Sequence, residues 1–177
     1  MSFHGESQPG AVPTPPETEG FRLNHSMLRV KDPERALAFY SGVLGMQVMR
    51  RLDFAEMNFS LYFLAHVDDA SRVPEEVEAR TAWTFSQTGI LELTHNWGTE
   101  NEEDFAYHDG NADPQGFGHI CISVPNLEAA QAWFDAHDVT FVKRADQGKM
   151  KDVVFIKDPD GYWIEIVQAD RMAAKGD

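Results

Sequence analysis

Shifted by 94 residues, the chain lies on itself. His25-Ser-Met-Leu-Arg-Val meets His119-Ile-Cys-Ile-Ser-Val, and the match runs on without a gap through Glu34 on Glu128, Ala36 on Ala130, Phe39-Tyr40 on Trp133-Phe134 and Val48 on Val142. The ends of the two halves correspond as well, Ile90-Leu-Glu-Leu on Trp163-Ile-Glu-Ile. Self-similarity of this kind restricts the chain to folds built from copies of one supersecondary unit.

The unit itself reads as strand, helix, strands. In the first copy residues 24–30 alternate as a strand, Asp32-Pro33 caps and opens a helix running to Gly45, and strands follow at 46–53, 57–65 and 90–95. In the second, 118–124 is a strand, Asn126 caps a helix reaching about His137, and 139–144, 153–157 and 162–168 are strands, with Asp158-Pro-Asp-Gly turning between the last two. The fold class is therefore α+β, two tandem βαβββ modules. Boundaries are expected at 1–23 for a Pro-rich N-terminal arm, 24–100 for the first module, 101–116 for a linker, 117–168 for the second module and 169–177 for a polar tail. The first copy is the longer, and its surplus is expected near 66–81 as a solvated loop or short helix rich in Asp, Glu and Ser.

Charge narrows the partners. With 15 basic and 29 acidic side chains the net charge is −14, which argues against nucleic acid and anionic membrane, both of which need a basic surface. A small anionic ligand is still compatible if cations are concentrated locally. One cysteine, Cys121, leaves no intramolecular disulfide and fits a reducing compartment. Neither a long apolar run nor a basic start followed by an apolar stretch occurs, so a cytoplasmic protein without a membrane span is expected.

Alternation along the strands puts His25, Met27 and Arg29 on one face, and His119, Cys121 and Ser123 on the matching face of the other copy. Glu92 groups with Thr94 and Asn96, and Glu165 with Trp163 and Val167. Each half thus offers one His and one Glu at equivalent places. A glutamate between Leu91 and Leu93, or between Ile164 and Ile166, is costly if that face closes over it unpaired. Two His and two Glu meeting between the halves would remove the cost by holding a divalent metal, for which imidazole and carboxylate suit Zn, Ni, Co or Fe(II). The plainer reading is polar residues facing water, and repetition at matching positions weighs against it. Cys121 reads as a small buried apolar residue, while His95 and His108 lack counterparts in the other half. Lys143, Arg144, Lys149, Lys151 and Lys157 cluster in the second half; Arg144, Lys151 and Lys157 read as solvated, whereas Arg29 inside a strand needs an anionic partner. No Walker loop, G-x-G-x-x-G or G-x-S-x-G occurs.

Six strings carry a resemblance: Met27-Leu-Arg-Val-Lys-Asp-Pro, Phe39-Tyr40 with Val43-Leu-Gly-Met, Phe59-Ser-Leu-Tyr-Phe-Leu, Leu91-Glu-Leu-Thr-His-Asn-Trp-Gly, Gly116-Phe-Gly-His-Ile and Asp158-Pro-Asp-Gly-Tyr-Trp-Ile-Glu. Together they resemble glyoxalase I, the lactoylglutathione lyases of the vicinal oxygen chelate superfamily, in their longer, eukaryote-like form. The resemblance implies a homodimer with each metal site at the subunit interface. It implies isomerisation of the methylglyoxal–glutathione hemithioacetal to S-D-lactoylglutathione by proton transfer through a metal-bound enediolate. By position the metal ligands would be His25, Glu92, His119 and Glu165, with Glu165 as principal base and Glu92 as its counterpart. Arg29, Asn96, Lys143, Gly148 and Lys149 would hold the glutathione part, and Phe54, Leu61, Phe63 and Met172 would line the apolar pocket. One divalent metal per site is implied, Zn favoured because the rest of the sequence is of the longer form, with Ni or Co as alternatives because His25 stands where that form commonly has glutamine and the short bacterial form histidine. Gln115 stands where arginine is usual before Gly-Phe-Gly-His. The same fold hosts Fe(II) extradiol dioxygenases, Mn-dependent transferases and metal-free drug-binding proteins. Four matched ligands disfavour the two-His, one-carboxylate dioxygenase site.

Overall fold

A cap, a proline and a run of alternating apolar residues begin each half. In the computed structural model, which describes residues 12–173, strand β1 (His25–Val30) leads into helix α1 (Pro33–Leu37). Asp32 sits in extended backbone and its carboxylate accepts the Glu34 and Arg35 N–H groups, while Pro33 occupies the first turn, where its missing N–H costs nothing. The helix continues with a wider, π-type winding over Ala38–Val43 and stops at Gly45, whose φ of +74° suits only glycine without strain. Strands β2 (Gln47–Phe54) and β3 (Phe59–Ala65) follow, then helix α2 (Val77–Ser86) and strand β4 (Ile90–Asn96). The second half repeats the plan as β5 (His119–Ser123), α3 (Leu127–Ala136) with Asn126 accepting the Ala129 N–H, β6 (Phe141–Lys143), β7 (Val153–Lys157) and β8 (Trp163–Val167). A short helix α4 (Ala169–Ala173) closes it. The first eleven residues of the expected arm and the last four of the expected tail lie outside the described residues.

Two four-stranded sheets result, ordered β1-β4-β3-β2 and β5-β8-β7-β6, with the first pair of each parallel and the rest antiparallel. Both modules bury one sheet face under their helices in a shared core that includes Leu28, Val30, Tyr40, Leu93, Leu127, Phe134, Ile156, Ile164 and Ile166. Polar ties join the modules along the same side. Tyr40 Oη donates to Asp158 Oδ2 at 2.8 Å, the Lys31 N–H to Asp160 Oδ1 at 3.1 Å and the Trp133 indole to Val43 O at 2.9 Å, and Arg35 donates to Pro159 O. The opposite face of the first sheet is partly covered by α2 and that of the second is open toward His119, and these faces carry the residues of interest.

Two segments depart from the sequence expectation. The surplus of the first half is not merely a loop with a short helix near 66–81, because α2 runs on to Ser86 and packs down. Trp83 joins Met49, Phe63, Ala65 and Ile90 in a second apolar cluster, and the Arg80 guanidinium donates to Met49 O at 3.0 Å. The expected tail begins with α4, held by the Arg171–Glu128 ion pair at 2.7 Å.

Candidate metal centre

Strand register, more than any single residue, assembles the outward face of the first sheet. Glu92 pairs with Met27 on one side and Phe63 on the other, Thr94 with Arg29 and Leu61, and Asn96 with Phe59, which pairs in turn with Phe54. Partners across a ladder share a face. His25, Arg29, Phe54, Leu61, Phe63, Glu92 and Asn96 therefore stand on one surface. In the second sheet Glu165 pairs with Cys121 and Phe155, Phe155 with Lys143, and His119 with Trp163, so His119, Glu165 and Lys143 share the corresponding surface.

Within each half the His and Glu meet. His25 Nε2 is 3.1 Å from Glu92 Oε2, and His119 Nε2 is 3.4 Å from Glu165 Oε2. Nitrogen and oxygen donors bound to one Zn-like ion at about 2.1 Å stand about 3.0–3.4 Å apart for right-angle to tetrahedral geometry, so both pairs fit the spacing of adjacent metal ligands. The pairs do not combine within one chain: among the described residues no group of three or more His, Cys, Asp or Glu is placed to hold a metal ion. Each pair is open to the outside, the His side chains being 33% and 40% exposed, which leaves room for further ligands.

Neighbouring side chains set the orientation of these groups, and the sequence assigns none of them that role. Thr94 Oγ1 donates to Glu92 Oε1 at 3.0 Å, leaving Oε2 turned to His25. Asn24 Oδ1 lies 2.7 Å from His25 Nδ1, and the edges of Phe63 and Phe85 meet the ring. His119 has one such aromatic contact, Phe155, at 5.3 Å between centroids. Thr94 shares the Glu92 face by the i+2 alternation already read from the sequence. Phe85 is not legible in that way, because only the packing of α2 brings it to His25. Cys121 is exposed in the single chain, not buried as expected, and its thiol is pushed up to about 11 by desolvation and then by the hydrogen bond and charge of Glu165. At neutral pH it is a thiol donor beside that carboxylate, not a nucleophile.

The expected substrate contacts are distributed around both faces. Arg29 lines a recess of about 330 Å³ with Met27, Tyr107, Phe117 and Tyr162. Asn96 Nδ2 donates to Tyr107 Oη at 2.9 Å, and Gln115 is exposed just before Gly116 at the same recess. Phe54 stacks on Phe59 with centroids 4.7 Å apart. The Lys143 ammonium donates to the carbonyls of Met150 and Val153 at 2.6 and 2.5 Å and, more weakly, to that of Arg144 at 3.3 Å, tying down the loop between β6 and β7. That loop presents Gly148, with φ +71°, and the exposed Lys149, while Met172 stands on α4, partly exposed.

Known proteins place the chain in a family. Residues 22–166 match the model of the glyoxalase/bleomycin resistance protein/dioxygenase superfamily. The chain is 57% identical over 170 residues to a lactoylglutathione lyase of Pseudomonas aeruginosa PAO1, covering 96% of this chain and 95% of that one. It is 56% identical over 153 residues to a lactoylglutathione lyase of Pseudomonas putida, covering 86% and 88%. The solved structure of the trypanothione-dependent glyoxalase I of Leishmania major superposes with a TM-score of 0.65 at 32% identity, covering 88% of this chain and 91% of that chain. With two βαβββ modules, matched His–Glu pairs and relatives of this identity along its length, the chain belongs to the glyoxalase superfamily and, within it, to the lactoylglutathione lyase family.

Proposed function

We propose that the chain isomerises the hemithioacetal of methylglyoxal and glutathione to S-D-lactoylglutathione. The observation that carries this is the pair of His–Glu clamps at equivalent register positions on two outward sheet faces, in a chain 57% identical to a lactoylglutathione lyase. The two clamps are incomplete singly. We read the chain as a homodimer in which His25 and Glu92 of one protomer meet His119 and Glu165 of its partner around one divalent ion. Zn is the favoured ion, with Ni and Co as alternatives, and the cytoplasm is the expected compartment.

A bound divalent ion would supply Lewis-acid polarisation of the two vicinal substrate oxygens, making the C1 hydrogen acidic. The remaining work belongs to the side chains. Glu165 accepts the proton from C1 and returns it to C2, while the hydroxyl proton passes from the C1 oxygen to the C2 oxygen, so the reaction is a net isomerisation with no co-reactant. Glu92, bound by the Thr94 hydroxyl and turned to His25, serves mainly as ligand. Arg29 and Lys149 are the charged contacts for the glutathione carboxylates, with Asn96 and the backbone at Gly148 beside them, and Lys143 holds the loop that presents Lys149. Phe54, Leu61, Phe63 and Met172 keep water from the reacting carbons.

The test is turnover of glutathione plus methylglyoxal by protein stripped of metal and reloaded separately with Zn, Ni and Co. Stripped protein should be inactive, and at least one metal should restore thioester formation in proportion to its occupancy. Inactivity with every metal at full occupancy would refute the proposal.

A further inference from the structure

The backbone carbonyls that end α2 determine which way the Asn24 amide points. Its two N–H groups are both engaged, donating to Thr84 O at 3.0 Å and Gln87 O at 2.9 Å. Carbonyl oxygens only accept, so the amide nitrogen must face α2 and the amide oxygen must face His25. That oxygen lies 2.7 Å from His25 Nδ1, a contact that requires a hydrogen on Nδ1. In the neutral ring the lone pair then sits on Nε2, the nitrogen turned to Glu92 Oε2 at 3.1 Å. Two acceptors facing each other at that distance need a cation or a proton between them.

We infer that Asn24 is a positioning residue for the metal ligand His25, holding the ring in the Nδ1–H form and linking its orientation to the end of α2. The inference rests on the metal-site reading given above. Phe63 and Phe85 confine the same ring edge-on, at 5.7 and 6.3 Å between centroids. The two histidines are consequently supported differently. Gly118 occupies the position equivalent to Asn24 in the second half, has no side chain, and leaves His119 without this contact. The surplus of the first half thus acquires a role: α2 is the anchor from which one ligand is held, across 60 residues of sequence.

The plainer alternative is that Asn24 only caps α2, by satisfying carbonyls of its last turn. Two substitutions separate the readings. Asn24→Asp keeps an acceptor toward Nδ1 and removes the donors to α2, whereas Asn24→Leu removes both. Zn affinity is measured on the full-length protein by competition with a chelator, and the imidazole N–H of His25 is followed by NMR in the Zn-loaded state. Wild type should show an Nδ1–H protected from exchange, and Asn24→Asp, which keeps the acceptor but loses the anchor to α2, should retain that proton while binding Zn more weakly than wild type and more tightly than Asn24→Leu. Asn24→Leu should lose the protected proton and bind Zn about 10- to 100-fold more weakly, the usual cost of removing a group that orients a ligand. Affinity within about twofold of wild type for Asn24→Leu, or an equal fall for both variants tracking their unfolding temperatures, would overturn the inference. If the wild-type protein binds none of Zn, Ni or Co, the metal-site reading itself fails, an outcome distinct from the other two.

Discussion

Glu92 and Glu165 occupy equivalent strand positions and yet have different surroundings. Glu92 is fixed through one oxygen by the Thr94 hydroxyl and through the other toward His25, whereas Glu165 has the weaker thiol of Cys121 beside it. Glu165 is the carboxylate to which the proposed function gives the proton transfer, and Glu92, held by Thr94, is given mainly the ligand role. Glu165→Gln should therefore retain most of its metal, read by elemental analysis, while kcat falls by about 10²-fold or more. Near-wild-type turnover would remove the residue from that role. Much of the site was legible at this scale, since the shift of 94 residues aligned His25 with His119 before any geometry was known. What was not legible depends on partners remote in sequence. Asn24 acquires its role from carbonyls of α2, and the Lys143 ammonium, expected at an anionic ligand, is engaged by carbonyls of its own loop.

At the scale of elements, caps and turn residues marked α1, α3 and the β7–β8 hairpin directly, because Asp32, Asn126 and the Asp158–Gly161 turn act on their immediate neighbours. Helix α2 was harder to read. Thr84 is its one buried residue, and it is held by tertiary contacts such as Arg80 to Met49 O. The β7–β8 hairpin carries a titratable tie to the first module through the Tyr40–Asp158 hydrogen bond. Burial pushes the Asp158 carboxyl up to about 6, with Asp160 nearby adding to the rise, although donors from Tyr40, Asp160 and Tyr162 oppose it. A carboxyl raised in the folded state binds more protons folded than unfolded. Its stabilising contribution is complete below about pH 4 and is lost as pH rises through about 6. Asp158→Asn lacks this dependence. The stability of wild type relative to the variant should then fall by about 2 kcal/mol between about pH 4 and pH 7, measured by denaturant unfolding of the metal-free proteins. Comparing the pair is necessary because Asp53, Asp69, Glu76 and Glu100 are all held below the ordinary carboxylate range and drive overall stability the opposite way. A difference that is constant with pH would show that Asp158 is ionised normally in the fold.

For the whole molecule, the acidic balance and the duplication have to be reconciled with a small anionic substrate. A net charge of −14 opposes polymeric anions but not a tripeptide, because Arg29 and Lys149 are local cations and two of the 29 acids, Glu92 and Glu165, face His25 and His119. Duplication gave each chain two His–Glu pairs at equivalent strand positions. Among the described residues no third ligand joins either pair within one chain, so the proposed site takes its halves from two chains. Mixing His25→Ala protein with His119→Ala protein tests this most directly. Each homodimer would have every site damaged, whereas a mixed dimer would contain one site with both substitutions and one with neither. After subunit exchange, with mixed dimers verified by native mass spectrometry, activity should rise from near zero to about a quarter of wild type, as statistical pairing in a twofold dimer requires. Mixed dimers that form and show no more activity than the two variants apart would contradict the shared site.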